Sequence, residues 1–326
     1  MLHRFAQLVV AGTVFLILAG SLVTSTGSGL AVPDWPTTYG WNMFTFPPSK
    51  WVGGIFYEHG HRLIASTIGF LSIVLAVWLW RADPRRWMKR LGAVALGAVV
   101  VQGLLGGITV LYFLPTAVST AHAGLAQIFF CLTVAIAIFT SPGWLEGRDP
   151  VEDGMLRRVA TATTLLVYVQ IIVGAAMRHS GAGLAIPDFP LMFGGLLPDR
   201  WSAAIAVHFA HRVGALVVTA AIIATAAHVR YHHPGRTALT RPASLLVALV
   251  VVQVTLGALT VLTGRNVWIN SAHVVCGAAV LATSLVLTLR SWRTSFAIER
   301  SASQPSSMVP RRATSGTATA TGGVRT

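Results

Sequence analysis

The chain alternates long apolar runs with short polar ones. Eight runs, at about 5–23, 55–80, 91–111, 117–140, 158–177, 203–228, 243–263 and 268–290, each hold the roughly 20 apolar residues that a helix needs to cross a hydrocarbon core about 30 Å thick. Helices are expected, because an unclosed strand leaves its backbone unpaired in lipid. The predicted fold class is all-α integral membrane with eight transmembrane helices. Composition agrees: 54% of the 326 residues are hydrophobic and 10% charged, against roughly 25% charged in soluble domains. A water-soluble globule is excluded. The net charge of +14 would suit nucleic acid if the cations formed one patch. They sit instead in short loops between apolar runs, so no nucleic-acid partner is expected. Cys131 and Cys276 lie inside apolar runs, and no disulfide framework is readable.

The loop cations set a direction. With the N-terminus inside, 18 Lys and Arg fall in inner segments and four (Lys50, Arg178, Arg200, Arg265) in outer loops. The positive-inside rule then places both termini in the cytoplasm. The first run is longer than the 7–15-residue core of a signal peptide, so it reads as a retained span. From about Thr294 the tail is rich in Ser, Thr, Ala, Gly and Arg, and disorder is expected there.

The chain also contains itself twice. T-G-S-G-L-A-V-P-D-W-P at 26–36 returns as S-G-A-G-L-A-I-P-D-F-P at 180–190, and G-H-R at 60–62 as A-H-R at 210–212. V-Q-G-L-L-G-G-I-T-V-L at 101–111 returns as V-Q-V-T-L-G-A-L-T-V-L at 252–262, and S-T-A-H at 119–122 as N-S-A-H at 270–273. The offsets, 154, 150, 151 and 151 residues, mark one duplicated unit. Four spans per unit give both copies the same orientation, unlike the inverted repeats of many transporters. The expected architecture is two pseudo-symmetric four-helix bundles: an N-terminal one over 1–142, a cytoplasmic linker over 143–157, a C-terminal one over 158–292 and a disordered cytoplasmic tail over 293–326.

Of eleven histidines, His3, His228, His232 and His233 lie near the inner surface beside basic residues and read as solvated. His61, His122, His211 and His273 each fall roughly five to eight residues into a span entered from outside, about 10 Å deep at 1.5 Å per residue. Within each unit, two histidines thus share one level on diagonal helices roughly 14 Å apart. A flat macrocycle ligated on both faces of its iron fits that gap. A small metal ion usually wants three or four protein ligands, which the level does not supply. Bis-histidine ligation of a heme in each bundle is the inference, against the bland reading of hydrogen-bonded packing residues. Arg62 and Arg212, each following a candidate ligand, either snorkel or pair with heme propionates. Glu58 is the only acid inside a predicted span, one turn before His61. Its counterpart is His208, so the acid has no twin, and this asymmetry points to chemistry in the first bundle with electron storage or relay in the second. The prolines around Asp34-Trp35 and Asp188-Phe189 set turns that could fold an aromatic over each site, though plain turn chemistry serves equally. Gly106 and Gly257 read as close-packing positions; Gln102, Gln253, His59 and His208 have no assigned role.

The constellation resembles the heme A synthase family. The residues that carry the resemblance are E-H-G-H-R at 58–62, S-T-A-H-A-G at 119–124, H-F-A-H-R at 208–212, S-A-H at 271–273 and the repeated G-L-A-(V/I)-P-D-(W/F)-P loops; the match covers 5–290. The resemblance implies an oxidoreductase of the bacterial cell membrane that converts the C8 methyl group of heme O to a formyl group, giving heme A for terminal oxidases. It implies His61 and His122 as ligands of the heme O iron, His211 and His273 as ligands of a heme b cofactor, and Glu58 as the carboxylate required for the oxidation. Some members carry a cysteine pair in the first outer loop. This chain has no cysteine there, which excludes a thiol step in that loop. An unidentified electron donor is implied, delivery from a heme O synthase fits the hydrophobic substrate, and a homo-oligomer is compatible with the pattern. Two rivals remain: a di-heme b-type electron-transfer cytochrome, and a heme-binding transporter or assembly factor.

Overall fold

A computed structural model describes residues 1–146 and 150–293, and these form helices and loops with no strand. The helices are α1 (Leu2–Ser25), α2 (Gly54–Ala82), α3 (Arg86–Leu111), α4 (Thr116–Phe139), the short α5 (Pro142–Leu145), α6 (Gly154–His179), α7 (Ala203–His232), α8 (Thr237–Leu262) and α9 (Val267–Ser291). All except α5 are long and apolar enough to cross a membrane. The chain is therefore a multi-pass membrane protein, and each predicted span coincides with one helix.

The helix ends differ from expectation for readable reasons. α6 begins at Gly154, four residues early, because Asp153 caps it: its Oδ1 accepts the Leu156 N–H at 2.8 Å. α8 runs through Pro242 rather than starting after it. Proline cannot donate to the carbonyl four residues back; here Arg290 supplies the missing donor to Ala238 O at 2.6 Å. Part of the expected linker folds as α5, whose Trp144 is buried with its ring 4.9 Å from Phe139. The expected disordered tail beyond Arg293 lies outside the described residues.

The helices α1–α4 pack as a ring in which each touches the next and α4 closes on α1; α6, α7, α8 and α9 form a second ring in the same way. The rings meet through α1, α4, α6 and α9, and α4 and α9 are accordingly the most enclosed spans. Apolar contact between helices gains little where lipid is equally apolar, so close approach and polar pairs matter more. Thr164 Oγ1 lies 2.7 Å from Ser284 Oγ and 2.8 Å from Thr288 Oγ1, tying α6 to α9. Gly124 lets α4 approach α6: a Cβ there would stand 2.6 Å from Ile172 Cδ1 and 3.3 Å from the Tyr168 hydroxyl.

Side-chain bonds fix which ends lie together. His3 meets Ala137 O at 3.0 Å and Arg157 donates to Ser291 O at 3.2 Å, so the start of α1, end of α4, start of α6 and end of α9 share one end. At the other end, Arg178 donates to Ser21 O at 2.8 Å, and Thr116 Oγ1 to His179 O at 3.3 Å. This second end carries the segments 26–53 and 180–202. Gly124→Leu should wedge α4 from α6 and cost roughly 1–3 kcal/mol; thermal inactivation of the purified protein at an unchanged temperature would contradict the close approach.

Candidate functional site

The loop end is built twice from the same parts. In the first segment the Asp34 carboxylate accepts from Tyr39 N at 2.8 Å, Gly40 N at 2.9 Å and Thr37 Oγ1 at 2.5 Å. In the second, Asp188 accepts from Phe193 N and Gly194 N, both at 2.8 Å. Tyr39 and Phe193 take left-handed φ values of 50° and 57°, each followed by a glycine with positive φ that bears the turn without steric cost. Both aspartates thus perform turn chemistry. Burial pushes the Asp34 carboxyl up, but the bonds from Gly40, Thr37 and Tyr39 outweigh it and hold the group below the usual range. For Asp188, the bonds from Gly194 and Phe193 do the same.

Arg62 and Arg212 rivet these loops to α2 and α7. Arg62 donates to Asp34 O (2.7 Å), Thr37 O (3.1 Å) and Val32 O (2.9 Å), and pairs with the Glu58 carboxylate at 2.6 Å. Arg212 donates to Leu191 O (3.0 Å), Ile186 O (3.1 Å) and Asp188 O (2.6 Å), and its Nε lies 3.3 Å from His208 Nε2. The other oxygen of Glu58 accepts Val32 N–H at 2.8 Å, while His208 Nδ1 accepts Ile186 N–H at 3.2 Å. Glu58 and His208 therefore hold equivalent latches, one with a carboxylate and the other with an imidazole. The Glu58 side chain is almost fully buried. His59, also without assigned role, is buried between Phe46 and Trp51, with Nδ1 3.1 Å from Thr38 Oγ1.

Each of the four inward histidines rests on a glycine of the neighbouring helix. A Cβ at Gly20, Gly106, Gly174 or Gly257 would stand 2.9, 3.2, 2.8 or 3.1 Å from Cε1 of His61, His122, His211 or His273 respectively. Gly20 and Gly174 are repeat-related positions that the motif comparison missed; only their place opposite a histidine distinguishes them. The rings of His211 and His273 lie 6.5 Å apart at 74°. Two in-line metal–imidazole bonds of about 2 Å plus the ring radii call for about 6 Å, so this pair fits an iron held from both faces.

The second shells of the two units differ. His211 Nδ1 lies 3.0 Å from the Gln170 amide, which also donates to His211 O at 2.7 Å; His273 Nδ1 meets Gln253 O at 3.2 Å. In the first unit, the buried Nδ1 of His61 has no hydrogen-bond partner among the described residues. The repeat position of Gln170 there is Leu16. Gln102 lies against His122 Nε2 at 3.3 Å, as Gln253 lies against His273 Nε2 at 3.4 Å, so this contact is common to both units. An apolar groove of about 270 Å³ opens beside the first unit between α2 and α3, lined among others by Gly69, Gly103 and Trp35. The Trp35 ring lies flat on Gly107, next to the Gly106 that supports His122. At the repeat positions of Gly69 and Gly103 stand Thr219 and Val254.

Two expectations need correction. Arg178 does not lie in an outer loop: it stands in the last turn of α6 between the two rings, donating to Ser21 O and, at 2.7 Å, to Ser25 Oγ. Nor are His3, His228 and His233 solvated. His3 meets a carbonyl, as above, and the other two converge on Asp153; His232 is exposed, as expected.

The loop aspartates predict a pH response. A carboxyl held below its unfolded value contributes stability that is present above that value and lost as pH falls through the folded one. Trp35 emission, isolated by difference from Trp35→Phe, should hold steady from pH 8 to 5 and change only below about pH 4. A transition near neutral pH would contradict this assignment.

Residues 46–285 match the family described as cytochrome oxidase assembly protein, COX15-CtaA. A heme A synthase of Geobacillus kaustophilus is 30% identical over 300 residues, covering 90% of this chain and 93% of that protein. One from Symbiobacterium thermophilum is 31% identical over 277 residues, covering 81% and 87%, and one from Halalkalibacterium halodurans 29% identical over 295, covering 87% and 96%. With the family matched over most of its length and relatives aligned nearly end to end, the chain belongs to the COX15-CtaA family, that of the heme A synthases.

Proposed function

We propose that this chain is an oxidoreductase that makes heme A by oxidising the C8 methyl group of heme O to a formyl group, in two functionally distinct units. His61 and His122 bind the substrate heme O, and His211 and His273 hold a resident heme b. The observation that carries the division is the difference in second shells. A ligating imidazole whose other nitrogen is hydrogen-bonded is oriented and made more basic, and loss of that partner typically costs 10–100-fold in affinity. His273 has such an acceptor in the Gln253 carbonyl, and the Gln170 amide holds the His211 ring in place through Nδ1 and the His211 carbonyl, as a permanent site requires. The bare Nδ1 of His61 suits a site that must release its product. The groove beside Gly69 and Gly103 gives the same unit room for the isoprenoid tail that heme O carries.

Held by His211 and His273, heme b would supply one-electron chemistry. The protein's own residues bind, orient and exclude water. Glu58 is the carboxylate of the substrate unit: Arg62 and Val32 N–H fix it, so it stands ready to balance positive charge, or take the proton, as the methyl group is oxidised. Arg62 and Arg212 act on the hemes as positioning residues through the loops they hold. Arg178, buried between the units with no ion-pair partner among the described residues, offers its guanidinium to a propionate. Both termini face the cytoplasm of a bacterial cell, which puts the four histidines toward the outer face. A heme O synthase in the same membrane delivers the substrate; turning the methyl into a formyl group is a four-electron oxidation with dioxygen as the oxidant, whose further electrons a separate donor supplies.

Three outcomes follow. Gln170→Leu, which gives the second unit the first unit's residue, should weaken heme b retention roughly 10-fold; unchanged retention of extracted pigment removes the basis for the division. His61→Ala should abolish heme A formation yet keep the b-type absorption, whereas His211→Ala should lose that absorption. Glu58→Gln should stop heme A formation when the protein is co-expressed with a heme O source, with the b-type spectrum intact; normal heme A would refute its role.

A further inference from the structure

At the end of the molecule opposite the histidine pairs, three side chains meet that the heme chemistry does not use. Asp153 Oδ2 lies 2.8 Å from His228 Nε2 and 2.8 Å from His233 Nε2, and the three atoms fall within 4.8 Å of one another. The residues come from separate places: Asp153 caps the start of α6, His228 lies in the last turns of α7, and His233 caps its end. We infer that Asp153, His228 and His233 form a binding site for a divalent transition ion of the zinc type, which clips the start of α6 to the end of α7.

The donor set is that of imidazole-preferring metals. Two histidines and one carboxylate leave room for water in the remaining position, the pattern of three-ligand zinc and of 2-His-1-carboxylate iron sites. Both imidazoles present Nε2 to the same carboxylate oxygen. The carboxylate is also held from behind: Oδ1 accepts Leu156 N–H at 2.8 Å, leaving Oδ2 to face the histidines. Metal-ligating carboxylates are commonly fixed by such an outer bond. Bonds of about 2 Å in tetrahedral geometry place ligand atoms a little over 3 Å apart, so the cluster has to widen by about half an ångström. Both histidine side chains and the carboxylate are largely shielded but not sealed, which leaves an entry path. The neighbouring His232 ring is 4.4 Å from that of His228 yet exposed and outside the cluster, and so serves as a control.

The test uses the full-length, tag-free, heme-loaded protein, stripped with chelator, incubated with Zn²⁺ alone and desalted before metal analysis. Wild type and His232→Asn should each retain about one zinc per chain, and His228→Asn/His233→Asn should retain none while keeping the heme spectrum. Equal zinc in the double variant, or none in wild type, overturns the inference. Should the double variant lose its heme, Co²⁺ added to stripped wild type decides: intense four-coordinate visible bands support the site, and their absence overturns it.

Discussion

A polar nitrogen in hydrocarbon must be paired or kept for a ligand, and that constraint organises this molecule. The side-chain hydroxyls of the spans mostly turn back onto carbonyls of their own helix or pair across helices, as Thr164 does with Ser284 and Thr288. Arg290 answers the carbonyl that Pro242 leaves open. Against that background the inward histidines stand apart, each laid against a glycine that gives its ring space, and one of them, His61, has a buried nitrogen with no partner among the described residues. Such groups are costly to keep in a membrane and mark function.

The loop end shows how a duplicated frame is differentiated. Both units use an aspartate to close the turn and an arginine to bind the loop carbonyls to a helix. The substitution of a carboxylate for an imidazole in the latch changes the charge at the edge of one site without changing the architecture. Gln170 adds a second difference and the glycines at 69 and 103 a third. Each alters one unit's polarity or access while the helices stay in place.

Much of this was legible in the sequence. Spans follow from apolar length, the repeat from four matched offsets, and the key histidines from their common depth; all eight helices lie where the hydrophobic runs fall. Partners separated by a hundred or more residues were not legible. Nothing near Arg178 in the chain says that it reaches Ser21 and Ser25 on α1, and basic neighbours made His228 and His233 look solvated although their partner, Asp153, is 75 and 80 residues away. The glutamines failed for the same reason: their meaning lies in the histidine across the helix interface, not in their own segment. Capping was readable in principle, since Asp153 precedes α6 directly, but hydropathy alone starts the helix late.

The central claim is a resident iron gripped by His211 and His273 in the second unit, with rings at a steep mutual angle. Low-temperature electron paramagnetic resonance of the oxidised protein tests it directly. The account predicts a low-spin ferric signal of the strongly anisotropic kind that near-perpendicular imidazole pairs produce, present in a His61→Ala/His122→Ala protein and absent from a His273→Ala one. A signal that vanishes with the first pair and survives loss of His273 would contradict it.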